Sequence, residues 1–527
     1  MTNPAREFVL DNTAPAVAEL LLRASGAVNG NGLATWSGGG RSISLRRTWL
    51  DTFDWRLYRA GLALEQVTAG GAVRLVLTGR DGAVLADQQL AGPKAPDWPA
   101  LVAALPPGPL RERVAPVVSV RALCPVARAV SKVSELRALN ADQKTIGRLA
   151  VDQMSVTFPA RATVPRRLTL TPVRGYQAQA ERACRTALSG VPGVSDGHES
   201  VLDAVLAAAG YRAGERPGKA AAAALRPSDP AATAIAAILT ALLDSLEANV
   251  PGTIRDIDTE FLHDLRIAVR WTRSALKLCG SALPDGLAST YRPDFRWLGD
   301  LTTPTRDLDV YLLRLPRISA TLVGASARDL APFGEYLTEA RATAYRRLVR
   351  GLRSARFRRL VTNWRADLAS VRAPRRRPVV AGLAAAKIAA ANRKALRAGQ
   401  LISASSPPES LHDLRKRCKE LRYLVEMFGP LHDPAQHWQA IRELKALQDC
   451  LGEFQDAEVQ RAKIRAFAGL MLAERRVPAE TLLAMGEIAA GLARRERKVR
   501  SEFDGRFADF AGAASQARLL RLSGAAA

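Results

Sequence analysis

The chain has 527 residues and a formal net charge of +25, set by 76 lysines and arginines against 51 acids, with a pI near 10.7. Its 48% hydrophobic fraction is enough to build about three compact units, which excludes global disorder. Aromatic residues make up only 6%, and alanine and leucine fill the second half, a composition that favours packed helices over an all-β sandwich.

At the N-terminus, Glu7 and Asp11 interrupt any apolar run, so no signal peptide is expected. Residues 5–180 are punctuated by glycine and carry short alternating stretches at 43–45, 73–77, 149–154 and 167–170, which read as strands. An antiparallel sheet with one or two helices, the first over 14–23, is expected there. Residues 191–227 are rich in Gly, Pro and Ala and read as a linker. From Pro230 onward nearly everything has helical periodicity. Prolines 251, 284, 293, 304, 374, 378, 407, 408, 430 and 434 are expected to mark helix breaks. The longest apolar run, 231–243, is too short to span a bilayer, so no membrane span is expected. The alanine-rich end, 511–527, reads as a flexible tail.

Charge is unevenly placed: residues 251–527 hold 48 of the basic and 30 of the acidic side chains, and within 341–400 seventeen basic residues meet a single acid, Asp367. Such a field attracts polyanions, but its sign does not choose among nucleic acid, an anionic membrane and polyphosphate. Cys124, Cys184, Cys279, Cys418 and Cys450 stand singly, without a CxxC pair. Neither a disulfide framework nor a zinc cage is indicated, and a reducing cytoplasm is expected.

Sliding the chain against itself by 149 residues lays LHDLRIAVRWTRSALKLCG, from Leu262, over LHDLRKRCKELRYLVEMFG, from Leu411. The register holds without a gap through Leu298 and Leu447, Asp300 and Asp449, Asp307 and Asp456, and Val310 and Val459. Two related helical bundles with approximate two-fold symmetry are expected, with a groove or pore between them. In the first copy His263, Arg266, Arg270, Arg273 and Lys277 share one helix face. That stripe runs roughly 21 Å at about 1.5 Å per residue. His412, Arg415, Lys419 and Arg422 repeat it, with Lys416 beside them and Glu426 in the last place. A charge run is most often a solvated face. Solvated faces mix acids with bases, however, whereas these stripes are nearly pure cation and occur twice in register, which points to polyanion binding. The HD dipeptides suggest metal phosphohydrolases, but cationic neighbours disfavour a metal ion at His263 and His412. Each histidine is expected to donate to a phosphate oxygen, more strongly when protonated. Asp264 and Asp413 are assigned to helix N-terminal electrostatics or arginine pairing.

The paired LHDLR helices, with WLGDLTTPTRDLDVY and LQDCLGEFQDAEV, resemble the CHAD family, the conserved-histidine α-helical domain, over residues 228–510, with repeat copies at about 228–372 and 378–510. The resemblance implies two four-helix bundles around a basic cavity that binds inorganic polyphosphate, often on polyphosphate granules. By that resemblance His263, Arg266, Arg270, Arg273, His412, Arg415, Lys419 and Arg422 line the cavity. Arg306, whose repeat partner is Gln455, and Arg346, Arg347, Arg350 and Arg353 on the following helix are further candidates.

TWLDTFDWRLYRAGLALEQV, from Thr48, with VRLVLTGRDG, KTIGRLAVDQMSV and LTLTPVRGYQAQAERA, resembles the CYTH family over residues 1–190. Members of that family fold as an antiparallel β tunnel and act on triphosphates. Asp51 and Thr52 sit in its Y-x-D-T turn. The family's ExExK strand, whose glutamates hold a divalent ion, reads REFVLD here: Glu7 is followed by Val9, and Asp11 replaces the lysine. Glu65 and Gln66 stand where a basic strand is expected, and the strand at 169–173 is poor in acids. Arg46, Arg47, Arg59, Arg74 and Arg148 could still hold an anion or be solvated strand and turn residues. The fold class expected is thus α+β multidomain: a degenerate CYTH-like unit followed by an all-α unit. The expected function is non-enzymatic polyphosphate binding, without catalytic residues, metal or cofactor. The alternatives are a metal-dependent triphosphatase or polyphosphatase, and nucleic-acid binding, which the scarcity of stacking aromatics on the stripes disfavours.

Overall fold

The computed structural model describes residues 6–11, 34–90, 96–189, 191–197, 199–215, 224–372 and 378–522. The helix expected at 14–23 and the last five residues lie outside these. The chain divides into two units, Met1–Pro217 and Gly218–Ala527.

The first unit is an eleven-stranded antiparallel sheet with four helices among its described residues. In chain order these are β1 (Arg6–Leu10), β2 (Thr35–Thr52), α1 (Arg56–Arg59), β3 (Leu62–Ala69), β4 (Ala72–Gly79), β5 (Val84–Gln89), β6 (Ala100–Leu101) and α2 (Pro109–Val118). They continue as β7 (Ala122–Leu139), β8 (Thr145–Phe158), β9 (Ala162–Thr163), β10 (Arg166–Pro172), α3 (Gln177–Leu188), β11 (Val194–Asp196) and α4 (Val201–Ala208). The strand path runs β11-β1-β10-β8-β7-β2-β3-β4-β5, so all four expected strands are present, inside β2, β4, β8 and β10. Period-two alternation turns one side of each strand toward a helix. Leu149, Leu168 and Leu170 pack against Ala183 and Cys184 of α3, and Leu64, Leu75 and Leu77 against Leu110 and Val114 of α2. The segment expected as linker departs from that reading. Residues 194–208 form β11 and α4, because Leu202, Val205 and Leu206 complete a core with Trp49, Met154 and Val156.

The second unit holds α5 (Ala231–Ile254), α6 (Thr259–Leu278), α7 (Leu287–Ser319), α8 (Ala331–Leu352), α9 (Ala355–Ser370), α10 (Val380–Gln400), α11 (Pro408–Met427), α12 (Pro434–Ala473), α13 (Ala479–Ala511) and α14 (Ala513–Leu522). The 149-residue offset carries α6 onto α11 end to end, α5 onto α10 and α8 onto α13. The repeat is therefore one of four helices, α5–α8 and α10–α13, and reaches beyond the stretch visible in the sequence. Tyr311 Oη donates to the Gln460 carbonyl at 3.4 Å, an interaction between repeat-equivalent positions of α7 and α12.

Three expectations are corrected here. Pro251, Pro293 and Pro304 lie inside helices, since buried Tyr291, Phe295, Leu298 and Leu308 hold α7 continuous across the missing backbone donors. Residues 513–522 are helical rather than tail, because Leu519 and Leu522 are buried in the main core. By length and hydropathy α5 is sufficient to cross a membrane, but 61% of its apolar window is buried in this unit, with Ile235, Leu239 and Leu242 in the core.

Candidate functional site

The stripe on α6 begins later in its helix than the histidine position suggests. Asp258 caps α6, its carboxylate accepting from the N–H groups of Glu260 (2.9 Å) and Phe261 (3.2 Å), so His263 sits a turn inside. Leu262, Leu265, Ala268 and Leu276 bury the opposite face, which fixes the arginines on the other side. With α7 they enclose a cavity of about 220 Å³ lined by His263, Arg266, Arg270, Arg273 and Arg306, together with Gly299, Thr302 and Thr303. Among the described residues no carboxylate lines it. Arg266 Nη1 donates to Thr302 Oγ1 (2.9 Å) and Thr303 Oγ1 (2.8 Å), and Arg306 Nη1 to the Thr259 carbonyl (3.0 Å). Gly299 makes room for the first stripe: a Cβ there would lie 2.6 Å from Arg273 Nη1.

The second stripe opens into a larger groove of about 1070 Å³ between α11, α12, α13 and the end of α7. Arg415, Lys419 and Arg422 line it beside Arg314, Arg317, Arg494, Arg495 and Lys498, and here acids are present: Asp449, Glu453, Asp456, Glu487 and Glu502. The two copies differ because Thr302 and Thr303 become Leu451 and Gly452. Arg415, lacking those hydroxyls, turns to Gln455 and to Asp456 at 3.6 Å. The stripes meet at buried Tyr423, whose ring packs on Trp271 (5.7 Å) and lies under both Arg270 (5.8 Å) and Arg422 (5.7 Å). The Nε atoms of Arg415 and Arg422 are buried without a hydrogen-bond partner among the described residues.

Crowded cations raise the cost of charge. Burial, then Arg415 and Arg270, push the Lys419 ammonium down to about 8. Burial and neighbouring arginines also press Arg266 and Arg415 below their usual range. Burial and then Arg306 hold the His263 imidazole below its ordinary pKa, which disfavours the protonated form that would donate most strongly. His412 departs further. Its Nε2 lies 2.7 Å from Glu458 Oε2, and it lines neither cavity. Lys277 pairs with Glu420, and Lys416 with Asp413 at 3.0 Å; both are exposed and outside the cavities. Arg346, Arg347, Arg350 and Arg353 lie on the exposed side of α8 and at its end, and also line neither. Missed by sequence reading were Arg314, Arg317, Arg494, Arg495 and Lys498; the 149-residue register pairs Arg495 with Arg346, but only the helix crossing gathers the five in one groove.

In the first unit Asp51 is buried and accepts from the backbone N–H groups of Thr52 (2.6 Å), Leu57 (2.9 Å) and Tyr58 (2.9 Å); burial raises it to about 6. It holds the turn into α1. Arg47 is gripped by Glu65 and by Asp152 (2.9 Å) with its guanidinium over Trp49, and Glu7 lies 3.5 Å from Arg167. Arg74 pairs with Asp87, Arg59 donates to the Gly214 carbonyl (3.1 Å), Arg148 lies 3.9 Å from Glu135, and Arg46 is exposed. These carboxylates are thus engaged by arginines and backbone donors, with Glu65 and Asp152 sharing Arg47. Among the described residues no group of three or more His, Cys, Asp or Glu could hold a metal.

The helical unit carries a CHAD domain: residues 237–465 match the model of that family. The match ends within α12, so α13 and its groove-lining arginines lie beyond it. The chain is similar to the crystal structure of the CHAD domain from the plant Ricinus communis, at 26% identity and TM-score 0.48, over 55% of this chain and 96% of that one. It is also similar to PptA from Streptomyces chartreusis, at 19% identity and TM-score 0.42, over 52% and 98%. A further similarity, at 12% identity and TM-score 0.25 over 38% and 92%, is to HpAC1 from Hippeastrum, a candidate adenylyl cyclase described as having a dominant triphosphatase activity. No curated protein matches the chain.

Proposed function

We propose that the helical unit binds inorganic polyphosphate, seating phosphates in the α6–α7 cavity and leading the polymer past Tyr423 into the groove on α11. The observation that carries this reading is a cavity of about 220 Å³ lined by four arginines and two threonine hydroxyls, with no acid. Arginine forks and hydroxyls suit phosphate oxygens, and a bound polyanion relieves the mutual repulsion that a free site bears. The cavity is too small for a nucleic-acid duplex and offers no exposed ring for base stacking. In this reading the protein associates with polyphosphate granules in the cytoplasm. Its first unit is then a scaffold without triphosphatase chemistry, a reading supported by the engagement of Glu7, Glu65 and Asp152 with arginines.

Calorimetric titration with long-chain polyphosphate, beside duplex DNA of matched charge and at two salt concentrations, tests this. Saturable binding that weakens steeply with salt, prefers polyphosphate and is lost on combined Arg266→Ala, Arg270→Ala, Arg415→Ala and Arg422→Ala is expected, with helicity retained. Equal or tighter binding to DNA, or retained binding in the variant, refutes the assignment.

A further inference from the structure

The arginines on α8 and α9 that stay out of the cavities form a surface of their own. Between Glu339 and Asp367 the chain carries nine arginines and no acid. Three of them are neutralised locally: Arg341 by Asp256 and Asp309, Arg356 by Asp294, and Arg365 by Asp244 and Glu247. The other six, Arg346, Arg347, Arg350, Arg353, Arg358 and Arg359, are exposed and enter no ion pair among the described residues. Arg346, Arg350 and Arg353 follow each other at i, i+4 and i+7 on one face. Arg358 Nη1 donates to the Arg353 carbonyl (2.8 Å), which folds the start of α9 back onto the end of α8 and joins the two sets. Arg350 and Arg353 lie at the C-terminal end of α8, where the helix dipole favours cations, whereas Arg358 and Arg359 lie near the positive end of α9, whose first turn has no acid. Six like charges without a local counter-charge repel one another, and an anion from outside stabilises them.

Among the described residues no large apolar side chain is exposed between Val323 and Val379, so the surface has nothing to insert into a bilayer. Its aromatic neighbours are taken: Trp364 is fully buried and Trp297 lies under Arg356 at 4.3 Å. Stacking of bases therefore has no platform. Gly351 brings the end of α8 tightly against α7, where a Cβ would lie 2.3 Å from Leu301, next to the Thr302 and Thr303 that line the smaller cavity. The end of α8 thus packs on the helix that lines the cavity.

We propose that this outer surface is a second polyphosphate site, which captures a distal stretch of a polymer whose other segment is seated in the cavity. The inference rests on the proposed function and deepens it: two sites on one linear polyanion turn the second contact into an intramolecular one, so the surface adds affinity for long chains only.

The test compares the full chain, a cavity variant (Arg266→Gln with Arg270→Gln) and a surface variant (Arg346→Gln, Arg347→Gln, Arg350→Gln and Arg353→Gln), each titrated with tripolyphosphate, long-chain polyphosphate and duplex DNA. Thermal melts followed by circular dichroism confirm that each is folded. The surface variant is expected to bind tripolyphosphate as the parent does, and to lose tenfold or more in affinity for the long polymer. Its salt dependence should be shallower by about 3 in log–log slope, at about 0.7 for each lost phosphate contact. The cavity variant is expected to lose both ligands. Unchanged long-chain affinity in the surface variant overturns the second site while leaving the cavity reading intact. Loss of DNA binding alone in that variant reassigns the surface to nucleic acid and also overturns it. A parent that binds no polyphosphate removes both proposals together.

Discussion

Lys419 ties the binding reading to a proton that can be counted. Its ammonium sits half-buried among Arg415, Arg270 and Arg422, with Asp456 the one acid acting on it, and its pKa falls to about 8. At pH 9 only about a tenth of such lysines carry the proton. A polyphosphate segment laid in the groove neutralises the three arginines and returns the lysine toward its ordinary value of about 10.4, so binding should take up about 0.9 proton at pH 9 and about 0.1 at pH 7. By linkage the affinity then falls about tenfold between pH 7 and pH 9. Two groups are shifted away from this window: burial lowers His263 and pushes neighbouring Cys418 up to about 12. Calorimetry in buffers of different ionisation enthalpy measures the uptake, and Lys419→Arg, which keeps the charge without titrating, should abolish it while preserving affinity at pH 7. Uptake below about 0.2 proton at pH 9, or an unchanged pH profile in Lys419→Arg, refutes the reasoning. The same shift has a defined sign for folding. A lysine whose folded pKa is depressed opposes folding below about pH 8, and this opposition fades as pH rises toward 10. Lys419→Met should therefore raise the melting temperature of the free protein at pH 7 and lower its polyphosphate affinity.

Packing and charge burial elsewhere in the chain set two further substitutions. In Gly399→Ala the new Cβ would lie 1.9 Å from Phe507 Cε2, in a ring stack with Phe503; overpacking there should cost about 1–3 kcal/mol, read as a lowered melting temperature, and an unaltered melt would show that the ring yields freely. Arg47→Ala leaves Glu65 and Asp152 without their shared cation inside the sheet and should destabilise the first unit by about 3 kcal/mol, measured by chemical denaturation; a loss under about 1 kcal/mol would mean that the carboxylates find water instead.

Much of this protein is legible in its residues because the relevant periods are short. Helical spacing puts Arg266, Arg270 and Arg273 on one face of α6 whatever surrounds it, and the 149-residue register identifies α11 as its counterpart before any packing is known. The alternation that reveals β4 and β8 is equally local. What the chain does not disclose is which charges meet. Lys277 and His412 belong to the stripes by spacing, yet each is turned to an acid, Glu420 or Glu458, that only folding brings close. Arg314, Arg494 and Arg495 have no periodic relation to the stripes, yet line the larger groove because α7 and α13 converge on α11. The composition of residues 191–227 suggested a linker, but Leu202 and Val205 had a core to complete. Local geometry decides which face of an element is polar, and it is written in the sequence. Whether a cation on that face is free for a ligand depends on carboxylates from distant segments, and only the tertiary structure decides that.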